Sequence, residues 1–292
     1  MNTPLNKPRV GFIGLGNMGL SMAGHILAAG YPLHIHNRSS NKAGELLARG
    51  AIWHASPGDM AANVDLIITM LGYPHDVEQV YFGPDGILAR AEKAVLIDMT
   101  TSSPELAVRV ALEAERRGFH ALDAPVSGGD IGARDAKLAI MVGGTQAAFD
   151  KALPVLQLMG TNVVLQGGPG AGQHTKMCNQ IVIASTIMGV CEGLAYAKAA
   201  KLDLPTVLKS IGGGAASGFQ LNVMGGKILA NDLAPGFYIE HFIKDLGIAL
   251  AEAQRMQLEL PSLTLARKLY KDLAQQGHSR LGTQALIKHY EA

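Results

Sequence analysis

The chain has 292 residues, enough for two domains, with 48% hydrophobic and 17% charged side chains, the balance of an ordinary soluble globular protein. Its 25 basic and 24 acidic residues leave a net charge of +1 with no basic run or stripe, which argues against nucleic acid or an anionic membrane as a partner. The opening Met-Asn-Thr-Pro-Leu-Asn-Lys-Pro-Arg has no apolar signal-peptide core, so a cytoplasmic location is expected.

The first predicted element is a strand at Val10–Ile13, followed by Gly-Leu-Gly-Asn-Met-Gly and a helix over Met18–Ala29 that Gly30 closes. Gly14, Gly16 and Gly19 thus form a G-x-G-x-x-G fingerprint at a strand-to-helix turn. In that context the first glycine permits the tight turn, the second lets a pyrophosphate approach the backbone, and the third lets helix and strand pack closely. The helix N-terminus adds free N–H groups and a partial positive charge.

A second strand, Leu33–His36, runs into Asn37-Arg38-Ser39. An NAD-specific site usually places a carboxylate here to hold the ribose 2′-hydroxyl. The guanidinium of Arg38 and the hydroxyl of Ser39 suit a 2′-phosphate instead, and Asn37 brings no repulsion. A solvated arginine in a polar turn is the alternative. His34 and His36 are expected to be solvated rather than metal-ligating, and no metal spacing is visible among the histidines. Leu66–Met70 and Val95–Met99 are continuous apolar runs, as buried parallel strands should be, and further strands fit Leu138–Val142 and Val163–Leu165. The pattern predicts a doubly wound parallel sheet, with the loops 14–19, 37–39, 71–74 and 100–103 sharing one crevice beyond the strand ends. Ser127-Gly128-Gly129 reads as a nest of backbone N–H groups beside a hydroxyl, a carboxylate cradle; on these residues alone an ordinary polar turn is an equal reading.

After Gly167-Gly168-Pro169-Gly170 only helices are predicted, at about 172–200, 204–211, 218–230, 240–258, 262–276 and 282–290. The first is apolar on nearly every face across Gln180–Ala195 and is expected to be buried all round, wrapped by the helical domain or by a second subunit, which favours a dimer. Its core, Ile181–Cys191, is too short to span a bilayer. It carries both cysteines, Cys178 and Cys191, which read as free thiols of a reducing compartment. Lys176 and Asn179 share a face of it, with His174 pointing elsewhere. A lysine in an apolar helix is a candidate general acid, because burial would lower its pKa; a surface lysine is the alternative. Lys244 opens a predicted helix and by itself reads as a solvated charge.

These segments together resemble the β-hydroxyacid dehydrogenase family, which includes 3-hydroxyisobutyrate dehydrogenases, 2-hydroxy-3-oxopropionate (tartronate semialdehyde) reductases and glyoxylate/succinic semialdehyde reductases. The likeness runs end to end with the motifs in order. It implies an α/β protein: a Rossmann-type doubly wound sheet over 1–168, then an all-helical substrate and dimerisation domain over 169–292. It implies a nicotinamide cofactor; Asn37 stands where many NAD-using relatives carry an acidic residue, so with Arg38 and Ser39 NADP is the expected preference, with NAD accepted, and no metal is expected. Gly14, Gly16, Asn17, Met18, Gly19, Asn37, Arg38, Ser39, Met70, Leu71, Thr100, Ser102 and Lys244 would line the cofactor. Ser127, Gly128 and Gly129 would bind a small carboxylate substrate, Asn179 would orient it, and Lys176 would be catalytic, with Asp245 holding the start of the Lys244 helix. The implied reaction is hydride transfer between nicotinamide and a β-hydroxy acid or its semialdehyde, in a homo-oligomer. A non-catalytic nucleotide-binding module on the same fold is the rival, disfavoured by Lys176; an imine reductase is disfavoured by Lys176 and the Ser-Gly-Gly segment.

Overall fold

Short apolar runs become the centre of one sheet. In the computed structural model, which describes residues 7–291, the strands are β1 (Val10–Ile13), β2 (Leu33–His36), β3 (Ile52–Trp53), β4 (Leu66–Thr69), β5 (Val95–Asp98), β6 (His120–Asp123), β7 (Val126–Ser127), β8 (Leu138–Gly143) and β9 (Gly160–Gly167). Their order is β3-β2-β1-β4-β5-β6-β8-β7, with β9 on β8. β1, β4 and β5 are buried along their whole length, as strands covered on both faces must be.

The sheet departs from the all-parallel expectation at one side. β8 runs antiparallel to β6 and β7. The chain returns from β6 through β7 and a single short helix, Gly129–Arg134; so compact a return suits antiparallel pairing, whereas parallel neighbours need a long crossover.

The chain divides into two compact units, Met1–Lys176 and Met177–Ala292, and the boundary falls inside one continuous helix, Ala171–Ala199. In the first unit the parallel register aligns Ile13 with His36 and with Thr69, Thr69 with Asp98, and Asp98 with Asp123. Five strands therefore end at one level, and the loops that follow them start side by side. The row lies at the carboxyl ends, and the strand order reverses between β1 and β4, the place where such sheets bind ligands.

The second unit is helical apart from an isolated bridge between Tyr238 and Gly282. Ala184, Ile187, Cys191 and Leu194 of the long helix share a core with Phe242 and Leu246 of helix Ile239–Arg255 and with Tyr270 of helix Pro261–Leu273. The Tyr270 hydroxyl, buried there, donates to the Thr283 carbonyl at 2.8 Å. The predicted helix 218–230 is broken into a wide turn, Gln220–Met224, and a short helix, Gly225–Leu229.

The long helix is not buried all round. Val182 is 61% exposed and Tyr196 75% exposed, and Gly189 and Gly193 lie on the same open stripe. Its own unit packs against one side only, so the apolar composition exceeds what the described residues cover. By length and composition the helix could cross a bilayer, yet its buried side forms the helical core.

The helix starts hard against the sheet. A Cβ on Gly172 would stand 2.4 Å from the Met141 carbonyl oxygen and 2.5 Å from that of Asp123. Gly172→Ala is therefore expected to destabilise the fold by about 1–3 kcal/mol, the usual cost of forced overpacking. Urea unfolding measures it; a wild-type midpoint would show that the helix start has slack.

Candidate functional site

The three fingerprint glycines meet three different surroundings. Gly14 has φ +100°, and a Cβ there would stand 2.2 Å from the Met70 carbonyl oxygen. A Cβ on Gly19 would reach 1.9 Å from the Gly14 carbonyl oxygen, so any side chain would push the helix off the loop. Gly16 has nothing within 4 Å and is exposed, as is Asn17, while Met18 is half-buried against the core. A tight turn, an open backbone and a close contact in that order form a cradle suited to a pyrophosphate at the start of helix Gly19–Ala28.

Asn37 holds this loop to the end of β2. Its Oδ1 accepts from Leu15 N–H at 3.0 Å, and its Nδ2 donates to the Ser39 carbonyl at 2.8 Å. Beyond it the Arg38 side chain is 95% exposed, with a guanidinium nitrogen 4.0 Å from Asp76 Oδ1, and the Ser39 hydroxyl bonds Asn41. Asp76 also accepts from Tyr73 N–H at 3.1 Å and so caps helix Pro74–Phe82.

At the ends of β4 and β5 the backbone is tied by buried side chains. Met70 N–H reaches the Ile13 carbonyl, and Leu71 N–H donates to Thr100 Oγ1 at 2.8 Å. Asp98 accepts from Thr69 Oγ1 at 2.8 Å and from Thr100 N–H at 3.1 Å. Burial pushes the Asp98 carboxyl up to about 6, against the pull of the Thr100 and Thr69 bonds. Ser102 is buried, and its hydroxyl oxygen has no hydrogen-bond partner among the described residues, a polar group that a bound ligand would satisfy.

The long helix is fastened to β6 by Asp123. One carboxylate oxygen accepts from Gly170 N–H at 2.8 Å and the other from Gln173 N–H at 2.7 Å. Burial raises the Asp123 pKa, and the backbone N–H bonds oppose that rise. Gln173, fully buried, accepts from Ser102 N–H at 3.0 Å and donates to the Thr100 carbonyl at 2.7 Å. Lys176 follows one turn later and is 6% exposed, so it is not a surface lysine. Exposed His174 lies on another side. Ser127 ends β7, half-buried, and is followed by Gly128 at φ +133° and Gly129 at φ +64°, backbone values that favour glycine.

Asn179 and Lys244 belong to the second unit. Asn179 Nδ2 donates to Gln180 Oε1 at 2.7 Å, Gln180 Nε2 donates to Asp245 Oδ2 at 2.6 Å, and Lys244 Nζ stands 2.8 Å from Asp245 Oδ1. Lys244 does not open its helix. The helix begins at Ile239, after an extended Tyr238, and Asp245 acts inside it through these side-chain contacts rather than at its start.

His34 is not solvated. It is 8% exposed, and its Nδ1 lies 2.8 Å from His54 Nε2; burial lowers the pKa of both rings. β3 covers this part of β2, and a two-residue strand leaves no periodic signal to reveal it. Among the described residues no group of three or more His, Cys, Asp or Glu could hold a metal. Sequence reasoning missed Asp98, Asp123, Gln173 and Gln180. The available signal was an aspartate closing an apolar run and a glutamine inside an apolar helix, since polar groups in such places need partners.

Two family models match the chain. One, described as the NAD binding domain of 6-phosphogluconate dehydrogenase, covers residues 9–168; the other, described as NAD-binding of NADP-dependent 3-hydroxyisobutyrate dehydrogenase, covers residues 170–290. An uncharacterized oxidoreductase of Bacillus subtilis, YkwC, is 52% identical over 97% of this chain and 98% of its own length. A mitochondrial 3-hydroxyisobutyrate dehydrogenase-like protein of Arabidopsis thaliana is 46% identical over 98% of this chain and 85% of its own length. The solved structure of a Mycobacterium tuberculosis 3-hydroxyisobutyrate dehydrogenase with L-serine superposes with a TM-score of 0.90 at 31% identity, covering 98% of this chain and 100% of that one.

Asp98 makes a testable contribution to stability. Its folded pKa of about 6 lies above the ordinary 3.8, so between those values the folded chain binds the extra proton and stability falls as pH rises. Asp98→Asn removes this dependence while keeping an acceptor for Thr69 and Thr100. Its stability relative to wild type is expected to improve by about 2 kcal/mol between pH ~4 and pH ~7. Denaturant titrations at the two pH values read it; an unchanging difference would mean that Asp98 titrates normally.

Proposed function

We propose a substrate class, a cofactor preference and residue roles for a chain that belongs to the β-hydroxyacid dehydrogenase family and is an NAD(P)-dependent, 3-hydroxyisobutyrate dehydrogenase-like oxidoreductase. The reaction is the interconversion of a small β-hydroxy acid and its semialdehyde. The observation that carries the reading is Lys176, buried one turn into a helix whose first N–H groups Asp123 holds. The L-serine of the mycobacterial relative is itself a β-hydroxy acid and supports that class.

When bound, the nicotinamide supplies or takes up the hydride. Lys176 donates a proton to the carbonyl oxygen during reduction, and its neutral amine accepts the hydroxyl proton during oxidation. Ser127, Gly128 and Gly129 hold the substrate carboxylate through the hydroxyl and the nest N–H groups. Asn179 orients the substrate, and Lys244 lies beside the nicotinamide. Gly14, Gly16, Asn17, Met18 and Gly19 receive the pyrophosphate; Met70, Leu71, Thr100 and Ser102 run along the nicotinamide ribose, with the Ser102 hydroxyl as the bonding group. Asn37, Arg38 and Ser39 receive the adenosine ribose and its 2′-phosphate.

The preferred cofactor is NADP. The end of β2 carries no carboxylate, and Arg38 extends beside it. The open stripe on the long helix, with Val182 and Tyr196, supports a homo-oligomer. The free thiols Cys178 and Cys191 suit a reducing cytoplasm.

Lys176→Ala is expected to lower kcat by ~100-fold or more, the scale of general acid–base catalysis, with little change in KM for NADPH. Steady-state rates with small semialdehydes test it, and near-normal turnover would remove Lys176 from the mechanism. The wild type is expected to favour NADPH over NADH by at least ~10-fold in kcat/KM, and Arg38→Ala to erase most of that by raising KM for NADPH. Equal efficiency with the two cofactors would sink the 2′-phosphate reading.

A further inference from the structure

The second unit contains a polar chain whose direction is set at one end. Asp245 is 1% exposed and paired with Lys244, and a carboxylate so paired only accepts hydrogen bonds. Gln180, also 1% exposed, must therefore turn its Nε2 towards Asp245, at 2.6 Å. That leaves its Oε1 on the other side, where it accepts from Asn179 Nδ2 at 2.7 Å. Asn179 in turn has its carbonyl oxygen away from Gln180. Reversing any one amide would set oxygen against oxygen or nitrogen against nitrogen in a buried place, so the three side chains hold one order.

We infer that Gln180 is a positioning residue, which carries the acceptor character of the Lys244–Asp245 pair to Asn179 and makes Asn179 meet the substrate with its carbonyl oxygen. Asn179 then accepts from a substrate O–H, so it holds the hydroxy acid in preference to the carbonyl form. The inference rests on the proposed role of Asn179, but the order of the amides can be tested without it.

Two experiments separate the claims. Gln180→Met keeps the length of the side chain and cuts the chain of bonds. KM for the hydroxy acid is expected to rise ~10-fold while KM for NADPH stays within ~2-fold, the signature of one lost orienting bond. The second experiment needs no turnover. Asn179→Asp alone sets an acceptor against Gln180 Oε1, and Asp245→Asn alone removes the acceptor that orders the chain; together they let Gln180 reverse and bond both neighbours. Chemical unfolding of the wild type, N179D, D245N and the double variant should show the double more stable than additivity by ~10-fold in the folding equilibrium constant. The excess should vanish when Gln180→Met is added. Additive effects in the presence of Gln180 would overturn the inference. Coupling with no change in KM for the hydroxy acid would uphold the amide order and overturn the substrate role of Asn179. Should Gln180→Met fail to fold, the cycle at Asn179 and Asp245 decides alone.

Discussion

The first unit is organised by the carboxylate of Asp123 held against the N-terminus of a long helix. A helix start presents N–H groups with no partner inside the helix and a partial positive charge. A carboxylate taken out of water needs donors. Asp123 answers both needs by accepting from Gly170 and Gln173. The backbone contact at Gly172 leaves no room for the helix to shift. Lys176, buried three residues beyond Gln173, inherits a fixed position from a bond it does not itself make.

The same logic runs along the row of strand ends. Thr69, Asp98 and Asp123 stand in register and are all buried, so apolar strands finish in polar groups at the level where the ligand loops begin. Each has its partners close by: Thr69 in Asp98 and Tyr81, Asp98 in Thr69 and Thr100, and Asp123 at the start of the long helix. Desolvation of Asp98 works against the fold at neutral pH, as its raised pKa records. What the network supplies in return is definition, because loops tied at each strand end present their backbone in one arrangement.

The helical unit repeats the device with amides. Gln180 donates to a carboxylate and accepts from Asn179, as Gln173 in the first unit donates to a carbonyl and accepts from an N–H. A buried glutamine with partners on both sides of its amide is a directional connector, and this chain uses one on each side of the boundary at Lys176 and Met177.

What the sequence by itself determined was local. The glycine fingerprint was legible because each of its roles depends on neighbours within a strand and a turn, and β1, β4 and β5 were legible because burial on both faces demands continuous apolar residues. The motifs around Ser127, Lys176 and Lys244 were legible as residue types in order. The tertiary structure alone decided their partners. Asp123 meets Gln173 across 50 positions, and Gln180 meets Asp245 across 65, distances over which no periodicity carries information. The antiparallel placement of β8, the two-residue strands β3 and β7, and the burial of His34 beside His54 likewise depend on what packs alongside. The open stripe of the long helix went unread for the same reason: an apolar residue states that it can be covered, and only the packing shows which side this chain covers itself.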